Sequence, residues 1–543
     1  MQTISREQEW KDIHKKSMLN ESFVEISLDI ADPVAIADAK STDNGAIYIS
    51  NSETLTDSGE TSPSPYCTLE QNLWCLDGSR EAIPEAEIVK TSYISDVLSD
   101  DTCVFSGKIP TITINFDETH APLIPGITIT WSSVFNEFAE SFDVVAYNGA
   151  TIVASKSVTG NKSLKSLIFV DIANYNKVVI LIRKWCLPNH RARVEDVLVG
   201  INKVYGKGDL FEYSHTQSVD PVSTSLPKFE IKFSIDNVEG EYNPYNQYGL
   251  AKYLMERQEV KTRYGLKLDD GSIEWISGGT FYLSEWYAKQ NGLTADFTAR
   301  DMLEFMSAEY IDSNPTSSIR YLYDLAIMLL NAAELPKNSD GSPKWIVDEE
   351  LKSVPTSATL PVDTIANCLQ LIANAGRCVM YQDRNGILHI ERLKGSATDT
   401  SEDKDYTITP FNSYSKSEIT LSKPLKQVRV KEYTYAGGKV TASSTVRSYP
   451  TEVSSDSKGE IVTVDNPLAG YNVAVNLAPW MYEHLSHRMT LESSWRPDVR
   501  LDALDIVKNE NDYTTNRVRM TDVEFKYNGA FRGTGKGKVI GNG

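Results

Sequence analysis

Between about Leu69 and Ile201 the chain is a succession of short β-branched runs, PTITINF, GITITWS, SFDVVAYNG, ATIVASKSV, LIFVDI and KVVILIRKW, each closed by turn residues. Val, Ile, Thr and aromatic side chains fit a pleated, half-buried surface, and strands at such close spacing leave no length for helical crossovers. Several such strands at close spacing argue for a β-sandwich or jelly roll over 69–204. Before it, 1–68 read as a short helix over 4–20 with Trp10, Ile13 and Met18 near one face, a strand in FVEISLDI, and a loop rich in Ser and Thr.

After the sandwich the pattern becomes strict alternation. In KFEIKFSID, Phe229, Ile231, Phe233 and Ile235 share one face while Glu230, Lys232, Ser234 and Asp236 share the other, the signature of a half-buried strand. DDG at 269–271 and QNG at 290–292 are hairpin turns that tolerate positive φ. A small antiparallel barrel with one helix, in AKYLMERQEV, is expected over 205–301. Residues 302–400 carry helical periodicity in SIRYLYDLAIMLLNAAEL and VDTIANCLQLIANAG, with Asp363 as the expected N-cap and Gly376 as the expected left-handed terminus. RCVMYQDRNGILHIERL follows as a hairpin turning at Asp383–Gly386, which makes an α+β module. A second barrel is expected over 401–543, interrupted by a helix around NLAPWMYEHLSHRM. The fold class is thus mainly β with an α+β module: two β-barrels, a sandwich and a helix-hairpin domain.

The length of 543 residues fits several domains, and 24% charged with 41% hydrophobic residues is a globular composition. No apolar run is long enough to span a bilayer, and MQTISREQEWKD is too polar for a signal peptide, so the product is expected in the cytoplasm of the cell that makes it. The cysteines 67, 75, 103, 186, 368 and 378 form no C-x-x-C pair and are expected to be reduced thiols, without a disulfide framework or zinc cluster. The formal charge is -20, and it is uneven: 29–101 hold 15 acidic residues against Lys40, Arg80 and Lys90, whereas the last nineteen residues carry +4. Such a surface repels phosphate backbones, which disfavours sequence-specific nucleic-acid binding.

Chemistry is hard to find. FSIDNVEGEYNPYNQYGL gathers Asp236, Asn237, Glu239, Glu241 and Asn243 around a glycine, but the third position of a calcium loop is Val238 and glycine falls at the fifth, so the stretch reads as a corner leaving a strand. His484 and His487 in HLSH lack the glutamate of a zinc-protease helix. No nucleophile elbow, Walker loop or dinucleotide fingerprint occurs, and paired aspartates such as 269–270 and 100–101 fall in turns. Neither a catalytic residue, a metal nor a cofactor is nominated. Trp131, Tyr147, Trp185, His190, Arg191 and Arg193 admit two readings: sandwich interior and last strand, or aromatic faces and planar donors contacting a glycan.

The runs KVVILIRKWCLPNHRARVEDVLVGI, EYSHTQSVDPVSTSLPKFEIKFSIDNVEGEYNP, WISGGTFYLSEW and LTADFTARDMLEFM, with QNLWCLDGS upstream and RLDALDIVKNEN and VEFKYNGAFRG downstream, resemble in their order the tail-tip or baseplate hub proteins of bacteriophages, in the version found in phages of Gram-positive bacteria. The resemblance implies a discoidin-like sandwich and a homotrimer in which two tail-tube-like barrels per chain make a pseudo-sixfold ring. Its partners would be a distal tail or tail-tube protein above and tip, fibre or receptor-binding proteins below, with tape-measure protein and DNA passing through the channel without specific binding. It also implies a virion location at the tail tip. Many such hubs carry a C-terminal hydrolase or peptidase domain; this sequence ends at Gly543 just after the second expected barrel, so no enzymatic activity is expected. The alternative is an adsorption protein that binds a host-surface carbohydrate through the sandwich.

Overall fold

The computed structural model describes residues 4–16, 19–50, 52–56, 65–70, 74, 77–82, 93–289, 292–312, 320–338, 341–436, 439–453 and 458–542. The fold is mainly β with five α-helices among these residues: α1 Glu7–His14, α2 Pro33–Asp38, α3 Leu322–Ala332, α4 Ile365–Ala375 and α5 Tyr471–Leu485.

Its spine is one 13-stranded sheet. From one edge the order is Gly200–Tyr205, Ser22–Ala31, Glu259–Lys267, Ile273–Ala288, Thr294–Arg300, Lys228–Asp236, Leu210–Ser218, Thr515–Tyr527, Phe531–Asn542, Met489–Trp495 and Glu418–Leu421. Ile506–Glu510 pairs beside the start of Thr515–Tyr527 and carries Asp403–Ile408 on its far side. The alternation in KFEIKFSID is realised: Phe229, Ile231, Phe233 and Ile235 are buried, and the strand pairs antiparallel with both neighbours, with one register shift between Leu210 and Glu212.

The two expected β regions are therefore halves of one sheet, joined where Tyr213–Ser218 pair antiparallel with Tyr527–Asp522. A single hydrophobic core runs beneath both, from Ile26 and Phe297 through Tyr264 to Phe525 and Trp495. α1 adds Trp10 and Ile13 to it. The strand Ser22–Ala31, read from sequence in a separate N-terminal segment, lies inside this sheet between Gly200–Tyr205 and Glu259–Lys267.

The sandwich is a five-stranded sheet and a four-stranded sheet sharing one core, with Trp131, Phe142, Ile180 and Trp185 at its centre. It is inserted between Ala31 and Gly200, which are paired neighbours in the main sheet.

The third core departs from the expectation of a second barrel over 401–543 interrupted only by a helix: strands leave the sheet as well. Leu425–Ala436, Lys439–Tyr449 and Glu460–Val464 form a separate three-stranded sheet. With α5, this excursion buries Val428, Val430, Leu477 and Met481 against Leu325, Leu329, Leu369 and Ile372 of α3 and α4. The apolar faces of α3 and α4 share this core, and α5 packs directly on α4.

Several local expectations shift. α3 spans 11 residues rather than the whole periodic run, because Arg320–Tyr321 pair as strand with Pro355–Thr356. The N-cap of α4 is Thr364, whose hydroxyl accepts from Asn367 N, while Asp363 accepts from Thr364 N at 2.7 Å. Gly376 is right-handed, and Arg377 takes the positive φ of 59°. A Cβ at 376 would lie 2.3 Å from Leu351 Cδ2, so a larger residue there would have to displace that methyl group. AKYLMERQEV contains only a three-residue turn of 3-10 helix at Ala251–Tyr253. The turn at 269–271 is present, with Gly271 at φ 86°; Gln290 and Asn291 of the other expected turn lie outside the described residues.

Candidate functional site

Three places gather polar side chains. The first is the corner 236–250. Asp236 accepts from Val238 N at 3.0 Å and buried Asn237 accepts from Tyr242 N at 2.8 Å, so these oxygens are used by the turn itself. Leu250 N donates to Glu241 O at 2.7 Å, closing the loop on Gly249, where a Cβ would fall 2.3 Å from that same carbonyl. Lys203 Nζ lies 2.6 Å from Glu241. The acidic and amide groups diverge to separate structural partners, as expected of a corner. Among the described residues no group of three His, Cys, Asp or Glu is arranged to hold a metal ion. In HLSH, His484 lies edge-on to Trp480, and burial, helped by Arg519, pushes its pKa down to about 4.

The second is the junction of the two sheet halves. The turn Asp383–Gly386 of the α+β module inserts Arg384 there, only 4% exposed. Its Nε donates to Asp502 Oδ1 at 2.7 Å, Nη1 to Ser277 O at 2.9 Å and Nη2 to Leu501 O at 2.9 Å, and its guanidinium lies 5.7 Å from the centre of the Tyr264 ring. One side chain thus ties the module, the first half and the second. Buried His215 sits alongside, with Nδ1 2.7 Å from Tyr264 Oη. Burial, reinforced by the Arg384 charge, pushes the His215 pKa down to about 3. Gln217 links the strand to the same loop, donating to Asp502 at 3.0 Å and accepting from Ala503 N at 2.7 Å.

The third is one end of the sandwich. Trp131 and Trp185 are wholly buried, 6.0 Å apart and edge-to-face. Trp131 Nε1 donates to Ser166 Oγ and Trp185 Nε1 to Glu137 Oε2. Neither ring face is open to a sugar, so the interior reading holds for both. Tyr147 lies on the strand Ala139–Asn148, and its ring is covered by Lys177 Nζ at 4.5 Å from the ring centre. His190, Arg191 and Arg193 do converge, around two carboxylates that sequence reasoning missed. Glu137, fully buried, accepts from Arg193 Nη1 at 3.1 Å and lies 3.1 Å from His190 Nδ1. Glu70 sits 2.6 Å from Arg193 Nη2 and 3.4 Å from Arg191 Nε. Burial lowers the pKa of Arg193, but Tyr66, Glu70 and Glu137 more than restore it, so it stays charged. The available signal was Glu137 itself, a lone acid in FNEF between Phe135 and Phe138. With each carboxylate held by cations, this cluster orders the sandwich end.

A cleft of about 1040 Å³ separates sandwich and main sheet, lined by Thr128, Lys165 and Asp196 on one wall and Asp29, Arg263 and Trp275 on the other. Burial, then the nearby Glu259, pushes Asp29 up to about 6. Asn202 bridges it to Lys165. No helix among the described residues is long and apolar enough to cross a membrane.

No family model and no curated protein matches the chain. Among solved structures it is similar to the tail protein from Neisseria meningitidis MC58, at 13% identity and a TM-score of 0.42, covering 62% of this chain and 93% of that one. It is likewise similar to the 43 kDa tail protein of prophage MuSo2 from Shewanella oneidensis, at 12% identity and a TM-score of 0.42, over 62% of this chain and 96% of that one. Prophage tail protein gp18 from Listeria monocytogenes EGD-e is similar at 10% identity and a TM-score of 0.38, over 62% and 91% of the two chains.

Proposed function

We propose that this chain is a structural component of a bacteriophage tail tip, a homotrimeric hub that joins the tail tube or distal tail ring to the tip and surrounds the DNA exit channel. The observation that carries the reading is the pairing of Leu210–Ser218 with Thr515–Tyr527, which sets two antiparallel β units side by side in each protomer. Three such protomers present six β units, the number a hexameric tube would meet. The order of sequence segments that resembles tail hubs supports the same reading.

The sheet edges fit it too. At one end Gly200–Tyr205 is covered by the sandwich, with Asn202 N donating to Thr128 Oγ1 at 3.0 Å. At the other, Glu418–Leu421 pairs on one side with Met489–Trp495 and presents Ile419 and Leu421 at 57% and 59% exposure. An exposed apolar edge strand is a template for a neighbouring chain. The formal charge of -20 suits a wall past which DNA and tape-measure protein slide without being held. The role is non-enzymatic, its partners are tail proteins above and below, and its place is the virion, reached by assembly in the host cytoplasm.

The test is the mass of the purified protein by light scattering, with a negative-stain image of the same sample. Three times the 60.6 kDa protomer in a threefold ring is the expected result, reduced to monomer by Ile419→Asp. A monomer with no ring at high micromolar concentration refutes the homotrimer.

A further inference from the structure

Asp29 and Asn202 are cross-strand partners in the main sheet, so their side chains rise from one face of it into the cleft beneath the sandwich. Lys165 enters the cleft from the opposite wall, at the start of the sandwich strand Lys165–Ile172. The three side chains meet. Lys165 Nζ contacts Asn202 Oδ1, while Asn202 Nδ2 contacts Asp29 Oδ1 and donates to Ser27 Oγ at 2.6 Å. The carboxamide of Asn202 thus has an amine against its oxygen and a carboxylate against its nitrogen. Its backbone is fixed as well: Asn202 N donates to Thr128 Oγ1 at 3.0 Å, and Thr128 Oγ1 donates to Gly200 O at 3.0 Å. Thr130 of that same sandwich strand is the cross-strand partner of Lys165, so both walls present their groups from paired strands.

A carboxamide offers an attacking amine a leaving group, ammonia, provided that the amine is neutral and a proton can be delivered to the departing nitrogen. Lys165 is exposed overall, but dehydration of its end in the cleft lowers its pKa; Asp29, Asp196 and Glu25 oppose the fall and Arg263 adds to it. Asp29, pushed up to about 6 by burial and then by Glu259, against Asn202, Lys261 and Lys165, can both take and give a proton near neutral pH. Contact between amine and carboxamide turns a slow bimolecular aminolysis into an intramolecular step.

We propose that Lys165 and Asn202 become joined by an isopeptide bond, formed with Asp29 as the catalytic acid and base, which staples the sandwich to the sheet it interrupts. The lone pair of Lys165 Nζ forms a bond to Asn202 Cγ, and the carbonyl π pair moves onto Oδ1. As that pair returns, the Cγ–Nδ2 bond breaks and Nδ2 leaves as ammonia. Asp29 carries the proton lost by Nζ to Nδ2 and ends unchanged. One amine and one primary amide give one secondary amide and one ammonia, with nothing oxidised or reduced. Load on the sandwich then passes to the main sheet through a covalent bond as well as through the two chain crossings beside Ala31 and Gly200. The bond does not depend on the hub reading.

The experiment is mass spectrometry of the full chain, held at neutral pH until its mass is constant, then denatured and digested with trypsin. The unchanged protein is expected to weigh one ammonia less than its sequence. Trypsin should fail to cut after Lys165 and should release one branched species in which 163–177 is joined to 194–203. Lys165→Arg keeps the charge but should restore the full mass and leave 194–203 as a separate peptide. Asp29→Asn keeps the shape and should likewise give separate peptides. Absence of the branched species from the unchanged protein overturns the bond, even where ammonia has been lost at another asparagine and even if neither variant folds. A branched species that accumulates equally fast in Asp29→Asn overturns the part assigned to Asp29.

Discussion

Replacing Arg384 by Ala removes a side chain that touches three parts of the fold at once. Asp502 loses its nearest cation, retaining Gln217 at 3.0 Å, and the carbonyls of Ser277 and Leu501 lose their guanidinium donors. Breaking a buried ion pair from one side costs about 3–5 kcal/mol, and an orphaned carbonyl adds about 1 kcal/mol where water cannot reach it. Ser277 is exposed and can be rehydrated, so a loss of about 4 kcal/mol at the junction is expected. A chain with several cores does not unfold in one step, so a global melting temperature would blur the effect. Hydrogen exchange read by mass spectrometry localises it. The amides of Leu504 and Met520, bonded to Met520 O at 2.7 Å and Asp505 O at 2.9 Å, report opening of the junction. They should exchange about 1,000-fold faster in Arg384→Ala, while Ile182 N in the sandwich, bonded to Pro110 O, stays unchanged. Arg384→Lys restores one contact but not the fork, and should fall between. A change below about fivefold at Leu504 and Met520 would refute the idea that Arg384 locks the junction.

Other perturbations separate structural from binding roles. His215 has a folded pKa of about 3 against an ordinary value of 6.5, so between those limits the unfolded chain binds the extra proton. Its contribution is complete above pH 6.5 and is lost as pH falls toward 3; denaturation of the main sheet should show that slope, and His215→Phe should flatten it, whereas an identical slope in both proteins argues against a buried neutral imidazole. Trp131→Ala empties the sandwich centre and should destabilise that domain by about 3–5 kcal/mol in thermal unfolding; a folded variant of undiminished stability would return Trp131 to the ligand reading. Gly249→Ala drives a Cβ against Glu241 O, and urea unfolding should show a loss of about 1–3 kcal/mol; no loss would mean the corner yields without cost.

What was legible in the sequence was local. Alternation placed Phe229 to Ile235 on the buried face, and Asp383–Gly386 was recognisable as a turn from its residue types alone. What the turn delivers was not, because the partner of Arg384 is Asp502, 118 residues away, and nothing near either residue marks the pairing. The same limit hid the place of the strand Ser22–Ala31, legible as a strand in FVEISLDI but with a partner that begins at Glu259. It also hid the excursion Leu425–Leu485, whose strands look like any others although they share a core with α3 and α4. At the sandwich end the cations His190, Arg191 and Arg193 were nominated together and do meet, yet the carboxylates that organise them, Glu70 and Glu137, come from loops with no periodic signature. Aromatic residues misled in the opposite way: Trp131 and Trp185 are as suited to stacking on each other as on a sugar.

The insertion point of the sandwich has a consequence for how such a chain can change. Ala31 and Gly200 are cross-strand partners, so everything from Asp32 to Val199 leaves the main sheet and returns to it at one place. Strands Ser22–Ala31 and Gly200–Tyr205 would remain an ordinary hairpin if those residues were exchanged for a two-residue turn, since their register does not depend on what lies between. The sandwich is in effect a cassette: its replacement by another domain with adjacent termini alters what the molecule displays while leaving every strand pairing of the spine in place.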